Sequence, residues 1–290
     1  MHPQVHSFHD PATFTFTHVV YDREGGKAAI IDPVLDFDPA GARVSTTSAQ
    51  AVLDFVHAHS LEVVWILETH AHADHLSAAA WLKERTGAPV AIGRGITAVQ
   101  ARFKPLFGLG DDFVADGSQF DRLFDDGDTF AIGDLQGRAL ATPGHTDDSL
   151  TYVIGDAAFV GDTVFAPETG TARVDFPGGD AHKLYRSIQS LFGLPAGTRL
   201  FLCHDYPPGE RGPEALSSIA DQQARNIHVG GGREEADFVA LRQARDATLA
   251  APTLILPALQ VNIRAGQLPP PDADGVSYLR LPINQLGGAA

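Results

Sequence analysis

The stretch from Thr69 to His75 reads T-H-A-H-A-D-H and places His70, His72, Asp74 and His75 within six positions. Imidazole nitrogens and carboxylate oxygens are the usual ligands of divalent zinc, iron and manganese, so this density of donors points to a metal. The preceding run Val63-Val64-Trp65-Ile66-Leu67 reads as a buried strand. Residues two apart at the end of such a strand project to the same side, so His70 and His72 present their rings together. Asp74 and His75 fall where the chain enters an expected helix over His75–Thr86, and a carboxylate in that first turn suits the helix N-terminus. Polar loop residues caught together by chance are the competing explanation for any two of these side chains. That explanation weakens with each added ligand type.

Three later points complete a constellation. T-P-G-H-T at 142–146 follows the strand G-R-A-L-A-T, and Pro143-Gly144 makes a tight turn that presents His145. V-G-D-T at 160–163 puts Asp162 just past A-A-F-V, and F-L-C-H-D-Y at 201–206 puts His204 just past an apolar strand. Every candidate therefore sits at the downstream end of a strand, where sheet-based folds gather their sites. Cys203 lies on the apolar strand itself and reads as core rather than as a catalytic thiol.

The elements needed to hold these residues can be read in order. Residues 1–12 look like a flexible arm, with His2, His6 and His9 exposed. Alternation from Phe14 to Tyr21, the turn D-R-E-G-G and the run A-A-I-I-D-P-V predict a β-hairpin. A loop is expected over Leu35–Arg43. A helix capped near Ser45–Ser48 follows, with Val52, Leu53, Val56 and His57 at helical spacing. Further helices are expected at Leu76–Arg85, Ile96–Leu106 and Ala181–Phe192, and P-V-A-I-G is a short buried strand. Short strands with turns fill 121–152, and 209–250 looks mostly helical. Strand-then-helix order followed by hairpin strands and more helix implies sheets layered with helices outside. We therefore expect a single domain over 13–266 and an irregular tail over 267–290.

Composition excludes several roles. The formal net charge of −15, from 21 Lys and Arg against 36 Asp and Glu, argues against a nucleic-acid surface, which needs a basic stripe. No apolar run approaches the roughly 18 residues that span a bilayer, and no secretory signal is visible at the N-terminus, so a cytoplasmic protein is expected. A lone cysteine fits a reducing compartment. An anionic small-molecule substrate would need locally placed arginines or the metal itself to receive it. Oligomeric state is not legible, and a homodimer stays open.

T-H-A-H-A-D-H, T-P-G-H-T, G-D-T and C-H-D-Y, in that order, resemble the metallo-β-lactamase superfamily. The resemblance implies an α/β, four-layer αββα sandwich with a metal centre at one edge of two facing sheets. Small Ala73 before Asp74, T-P-G-H-T-D-D-S-L-T-Y-V, T-A-R-V-D-F at 171–176 and H-D-Y resemble the persulfide dioxygenase branch more than glyoxalase II. P-A-L-Q-V-N-I-R-A-G also resembles that branch's C-terminal strand, although Ala265-Gly266 stands where relatives often have Cys-Gly. The dioxygenase resemblance implies one Fe(II) per chain on His70, His145 and Asp162, with His72, Asp74, His75 and His204 as supporting groups. It implies oxidation of glutathione persulfide by O2 to sulfite and glutathione. The alternative it leaves open is a glyoxalase II-like hydrolase of glutathione thioesters or related esters. That enzyme would hold two Zn, Fe or Mn ions: His70, His72 and His145 on one, Asp74, His75 and His204 on the other, Asp162 between.

Other residues were weighed for substrate contact. Arg173 suits either a glutathione carboxylate or an ion pair with Asp175. Tyr206 suits either substrate or a packed position. His182 and His228 have no ligand-type neighbours in sequence and read as surface or helix-face residues. Arg225, Arg233 and Arg264 are further candidate cations, and Gly230–Gly232 reads as a break between helices rather than a phosphate loop.

Overall fold

The computed structural model describes residues 2–207 and 211–285. Two six-stranded sheets face each other. The first runs β1 (Gln4–Asp10), β2 (Thr15–Tyr21), β3 (Lys27–Ile31), β6 (Glu62–Leu67), β8 (Val90–Gly93), β9 (Arg122–Phe124) in spatial order. Between β3 and β6 the chain adds β4 (Val34–Asp38) and β5 (Arg43–Ser45), which join β7 (Leu76–Ser77) in a three-stranded flap, and then α1 (Thr47–Ala58). Helices α2 (Ala79–Thr86) and α3 (Ile96–Leu106) flank β8. The second sheet runs β10 (Thr129–Ile132), β11 (Leu135–Ala141), β12 (Leu150–Ile154), β13 (Ala157–Phe159), β14 (Arg199–Phe201), β15 (Leu216–Ser218). Helices α4 (Ala181–Phe192), α5 (Ile219–Arg225), α6 (Glu235–Asp246) and α7 (Ile255–Asn262) complete the chain.

The layering follows from strands buried on both faces, which read as continuous apolar runs rather than alternating ones. On β3, Ala28 and Ile30 join α1, α2, α3 and α7 in one core, while Ala29 and Ile31 face the second sheet. Across the sandwich, Leu200 and Leu202 pack on α4 and α6 while Phe201 points back between the sheets. Three stacked apolar cores thus separate four layers, helix–sheet–sheet–helix. This is the αββα fold that the motif order implied.

Parallel pairing sets where the loops emerge. β3, β6, β8 and β9 run parallel, as do β13 and β14, and β11 is antiparallel to β12, which is antiparallel to β13. The segments that follow β3, β6, β11, β13 and β14, and the start of β2, consequently meet at one edge of the sandwich.

Several expectations are corrected. Residues 4–10 are not a loose arm but β1, paired with β2 from Gln4↔Tyr21 to Asp10↔Thr15; the backbone ladder secures a strand that its His-rich side chains conceal. His6 is exposed as expected, with its ring stacked on Phe55. The expected loop 35–43 contains β4 and most of the turn to β5. The helix foreseen from His75 starts at Ala79, because Leu76 and Ser77 pair with β4 first. Of 209–250, residues 209 and 210 lie outside the described ones, and β15 precedes the two helices. The segment likened to a C-terminal strand is α7: Pro257 occupies its first turn, where the missing N–H costs nothing. Residues 267–285 form no helix or strand but are pinned where Gln260 and the Arg280 backbone exchange two hydrogen bonds.

Candidate metal centre

The loop after β6 is held from several directions. Asp32, at the end of β3 with a left-handed φ of 51°, accepts hydrogen bonds from the Thr69 backbone N–H at 2.7 Å and from its hydroxyl at 2.9 Å. The same carboxylate accepts from His72 Nε2 at 3.0 Å, which obliges that nitrogen to carry the proton and leaves Nδ1 as a lone pair. Asp148 Oδ2 accepts from the Ala71 N–H at 2.8 Å. From α7, the Asn262 amide donates to the carbonyls of both His72 and His75 at 2.8 Å and accepts from the Ser77 N–H.

The other candidates arrive on tight turns. Gly144 has a φ of 139°, and a Cβ there would lie 2.2 Å from the Leu184 nitrogen, so only glycine lets this turn lie against α4. The turn delivers His145, whose Nδ1 donates to the Arg173 carbonyl at 2.8 Å and whose Nε2 faces inward. Gly161, with a φ of 51°, packs its Cα against Thr69 and delivers Asp162. His204 follows β14 after Leu202 and Cys203.

Asp162 stands at the middle. Its Oδ2 lies 3.9 Å from His70 Nε2 and 3.6 Å from His145 Nε2, and its Oδ1 lies 3.4 Å from His204 Nε2. Asp74 Oδ2 lies 3.1 Å from His204 Nε2 and 3.5 Å from His75 Nδ1. All seven sequence candidates are therefore brought together, in two groups: His70, His145 and Asp162, and then His72, Asp74, His75 and His204.

These donors fit a cation. His70 Nε2, His72 Nδ1, His75 Nε2, His204 Nε2 and Asp162 Oδ1 are buried without hydrogen-bond partners, an arrangement that is costly unless something positive lies among them. Burial and the neighbouring imidazoles hold His70 well below the usual histidine range, keeping it a neutral donor. Burial also opposes the charge on His204, but the Asp74 and Asp162 carboxylates outweigh it and raise His204 well above. His72 is likewise raised, against its burial, by Asp32, Cys203 and Glu68, so without a cation these two rings hold a second proton that a metal would displace. Cys203 is buried as expected, and its thiol also lies against the Asp162–His204 and Asp32–His72 groups.

A cavity of about 370 Å³ opens onto this centre. Phe165, Phe176 and Leu249 give it apolar walls, and Arg173, Arg242 and Arg245 bring three cations to a protein of strong net negative charge. Arg173 is bound in both directions to Asp175 and to the Ala250 carbonyl, so the ion pair foreseen for it is present. Tyr206 borders the cavity, 45% exposed, with its ring parallel to that of His204. Arg225, Arg233 and Arg264 do not line it; Arg225 pairs with Asp221 and Arg264 lies over Phe113. His182 is exposed and paired with Glu235. His228, expected at the surface or on a helix face, instead lies buried in a turn, where it is bonded to Thr171, inside the wall of the cavity. Sequence reasoning missed Asp32, Thr15, Asn262, Arg242 and Arg245; only Asp32, a carboxylate closing an apolar strand, left a signal there.

Fold and site define the class. The sequence profile of the metallo-beta-lactamase superfamily matches residues 12–204, and the chain belongs to that superfamily. A Burkholderia pseudomallei protein described as a metallo-hydrolase is 52% identical, covering 97% of this chain and 99% of its own length. Glyoxylase B2 of Dictyostelium discoideum is 46% identical over 92% of each chain. The human mitochondrial persulfide dioxygenase is 28% identical over 89% of this chain and 86% of its own. Some relatives are longer: the chain spans 66% of the beta-lactamase hydrolase-like protein of Agrobacterium fabrum, at 52% identity. Among solved structures, ETHE1 from Myxococcus xanthus superposes with a TM-score of 0.72 at 29% identity, covering 91% of this chain and all of the other. No helix among the described residues is long and apolar enough to cross a membrane.

Proposed function

We propose that this chain is a non-haem iron persulfide dioxygenase, oxidising glutathione persulfide with O2 to sulfite and glutathione. The observation that carries the reading is the grouping at the centre. His70, His145 and Asp162 form one compact set of two imidazoles and a carboxylate, and His72, locked to Asp32, falls in the other. One Fe(II) on the first set would supply oxygen activation, since three protein ligands leave coordination positions open. In this reading His72, Asp74, His75 and His204 orient the ligands and shape the field around them. Arg245 draws the carboxylates of an anionic thiol derivative to the cavity, beside Arg173 and Arg242, whose charges Asp175 and Asp246 offset. Phe165 and Phe176 exclude water beside the reacting sulfur, and Tyr206 borders the substrate. The similarity to a named persulfide dioxygenase over nearly nine-tenths of the chain supports the same reading.

A hydrolase with two metal ions is the second reading. It is favoured by the unpartnered inward nitrogens of His72, His75 and His204, and by the higher identity to relatives with hydrolase and glyoxylase names. Oxygen uptake with glutathione persulfide, alongside elemental analysis, separates the two. One iron per chain and sulfite formation are expected. Two zinc ions per chain, no oxygen consumption and anaerobic turnover of a glutathione thioester would overturn the proposal.

A further inference from the structure

The hairpin between β1 and β2 ends against the metal centre. Thr15 is completely buried at the start of β2, and its hydroxyl oxygen lies 3.4 Å from each of Asp74 Oδ2, His75 Nδ1 and His204 Nδ1. Its hydroxyl is also 2.9 Å from that of Thr13, and Thr13 lies 2.5 Å from the Asp10 carboxylate. A hydroxyl has one proton to give. Thr13 gives its proton to the carboxylate, the shorter contact and the charged acceptor. The Thr15 proton then goes to the Thr13 oxygen at 2.9 Å or to the Asp74 carboxylate at 3.4 Å, and in both cases the Thr15 oxygen accepts from the two imidazoles. The Phe14 carbonyl, 3.3 Å from His204 Nδ1, can only accept as well. His75 and His204 are thereby fixed with the proton on Nδ1 and the lone pair on Nε2, and both Nε2 atoms are unpartnered and face the interior.

We infer that Asp10, Thr13 and Thr15 form a hydrogen-bond relay that positions His75 and His204 as ligands, so that the N-terminal hairpin governs metal binding by the Asp74–His75–His204 group. Thr15 is a positioning residue: it touches no reacting atom and acts through the two imidazoles. The inference rests on those three residues coordinating as one group and not on which reaction the centre supports. Outer partners of this kind typically change metal affinity 10–100-fold when removed.

The test is a Co(II) titration of metal-free protein, followed by the visible spectrum and by elemental analysis after gel filtration. Excess cobalt probes coordinating capacity whether or not the working protein carries a second ion. Wild type is expected to take two equivalents. Thr15→Val, which keeps the shape and loses the hydroxyl, should weaken the second equivalent about tenfold or more and leave the first unchanged. Thr15→Ser should restore it, and Thr13→Ala should give a smaller loss in the same direction. Thermal unfolding of each metal-free variant distinguishes a general loss of fold, which would lower both equivalents and refute the inference. Equal second-site affinity in wild type and Thr15→Val would refute the relay. A single equivalent in wild type would refute the grouping of Asp74, His75 and His204 beneath it.

Discussion

At the scale of single residues, the centre depends on side chains that offer one lone pair inward and have the other polar atom held outside. His145 donates to a backbone carbonyl, His72 to Asp32, and His75 and His204 contact Thr15. Asp162 is the one donor that reaches both groups. Asp162→Ala should therefore lose most bound metal by elemental analysis while keeping a folded spectrum; full retention would refute its assignment as a ligand. The seven candidate ligands were legible in the sequence because coordination demands particular residue types, and their spacing after apolar runs survives in the primary structure. Asp32, Thr15 and Asn262 were not. A carboxylate after a strand or a threonine within one is ordinary, and their partners lie far away in sequence: His204 is 189 positions from Thr15 and His72 is 190 from Asn262.

Among the elements, α7 does more than cover the first sheet. Asn262 closes it, and its amide bonds two carbonyls and one N–H of the ligand loop, all buried. Each buried polar group left unpaired costs about 1–3 kcal/mol. Asn262→Ala should lower unfolding free energy by about 2–4 kcal/mol in denaturant titration, and should also lower metal content, since His72 and His75 lose their backbone anchors. An Asn262→Ala protein with wild-type stability would show that this contact is incidental. Strands buried on both faces were legible from their apolar runs, and α4 from its helical spacing. β1 was hidden because Q-V-H-S-F-H-D, with His6 and His9 three apart and no regular alternation, looks like a tail until β2 is seen beside it. α7 was hidden because a proline within an apolar run suggests extended chain, whereas in a first turn proline is tolerated.

For the molecule as a whole, element order foretold sheets layered with helices, and the superfamily resemblance implied that two sheets face each other; the polar contacts that cross between them were not foreseeable. His18 is one such contact. Fully enclosed, its Nε2 donates to the Leu202 carbonyl of the opposite sheet and its Nδ1 accepts from the Ser7 hydroxyl. Burial pulls it down from 6.5 to about 4, against the pull of Asp32. The unfolded chain thus binds a proton at a pH where the folded one does not, so this stability is complete above about 6.5 and is lost as pH falls toward 4. The loss amounts to about 3 kcal/mol. His18→Gln should flatten the fall in stability between those limits in chemical denaturation at a series of pH values; an unchanged slope would exclude His18 as its source. The hairpin on one side and Asn262 on the other also constrain time. Both clamp the same ligand loop, one drawn from the first residues of the chain and one from position 262. During synthesis the motif at 69–75 emerges with one clamp already made and the other not yet translated. The donors therefore acquire their geometry late, through contacts of high sequence separation. Selective loading of the ion is an event that follows translation of position 262.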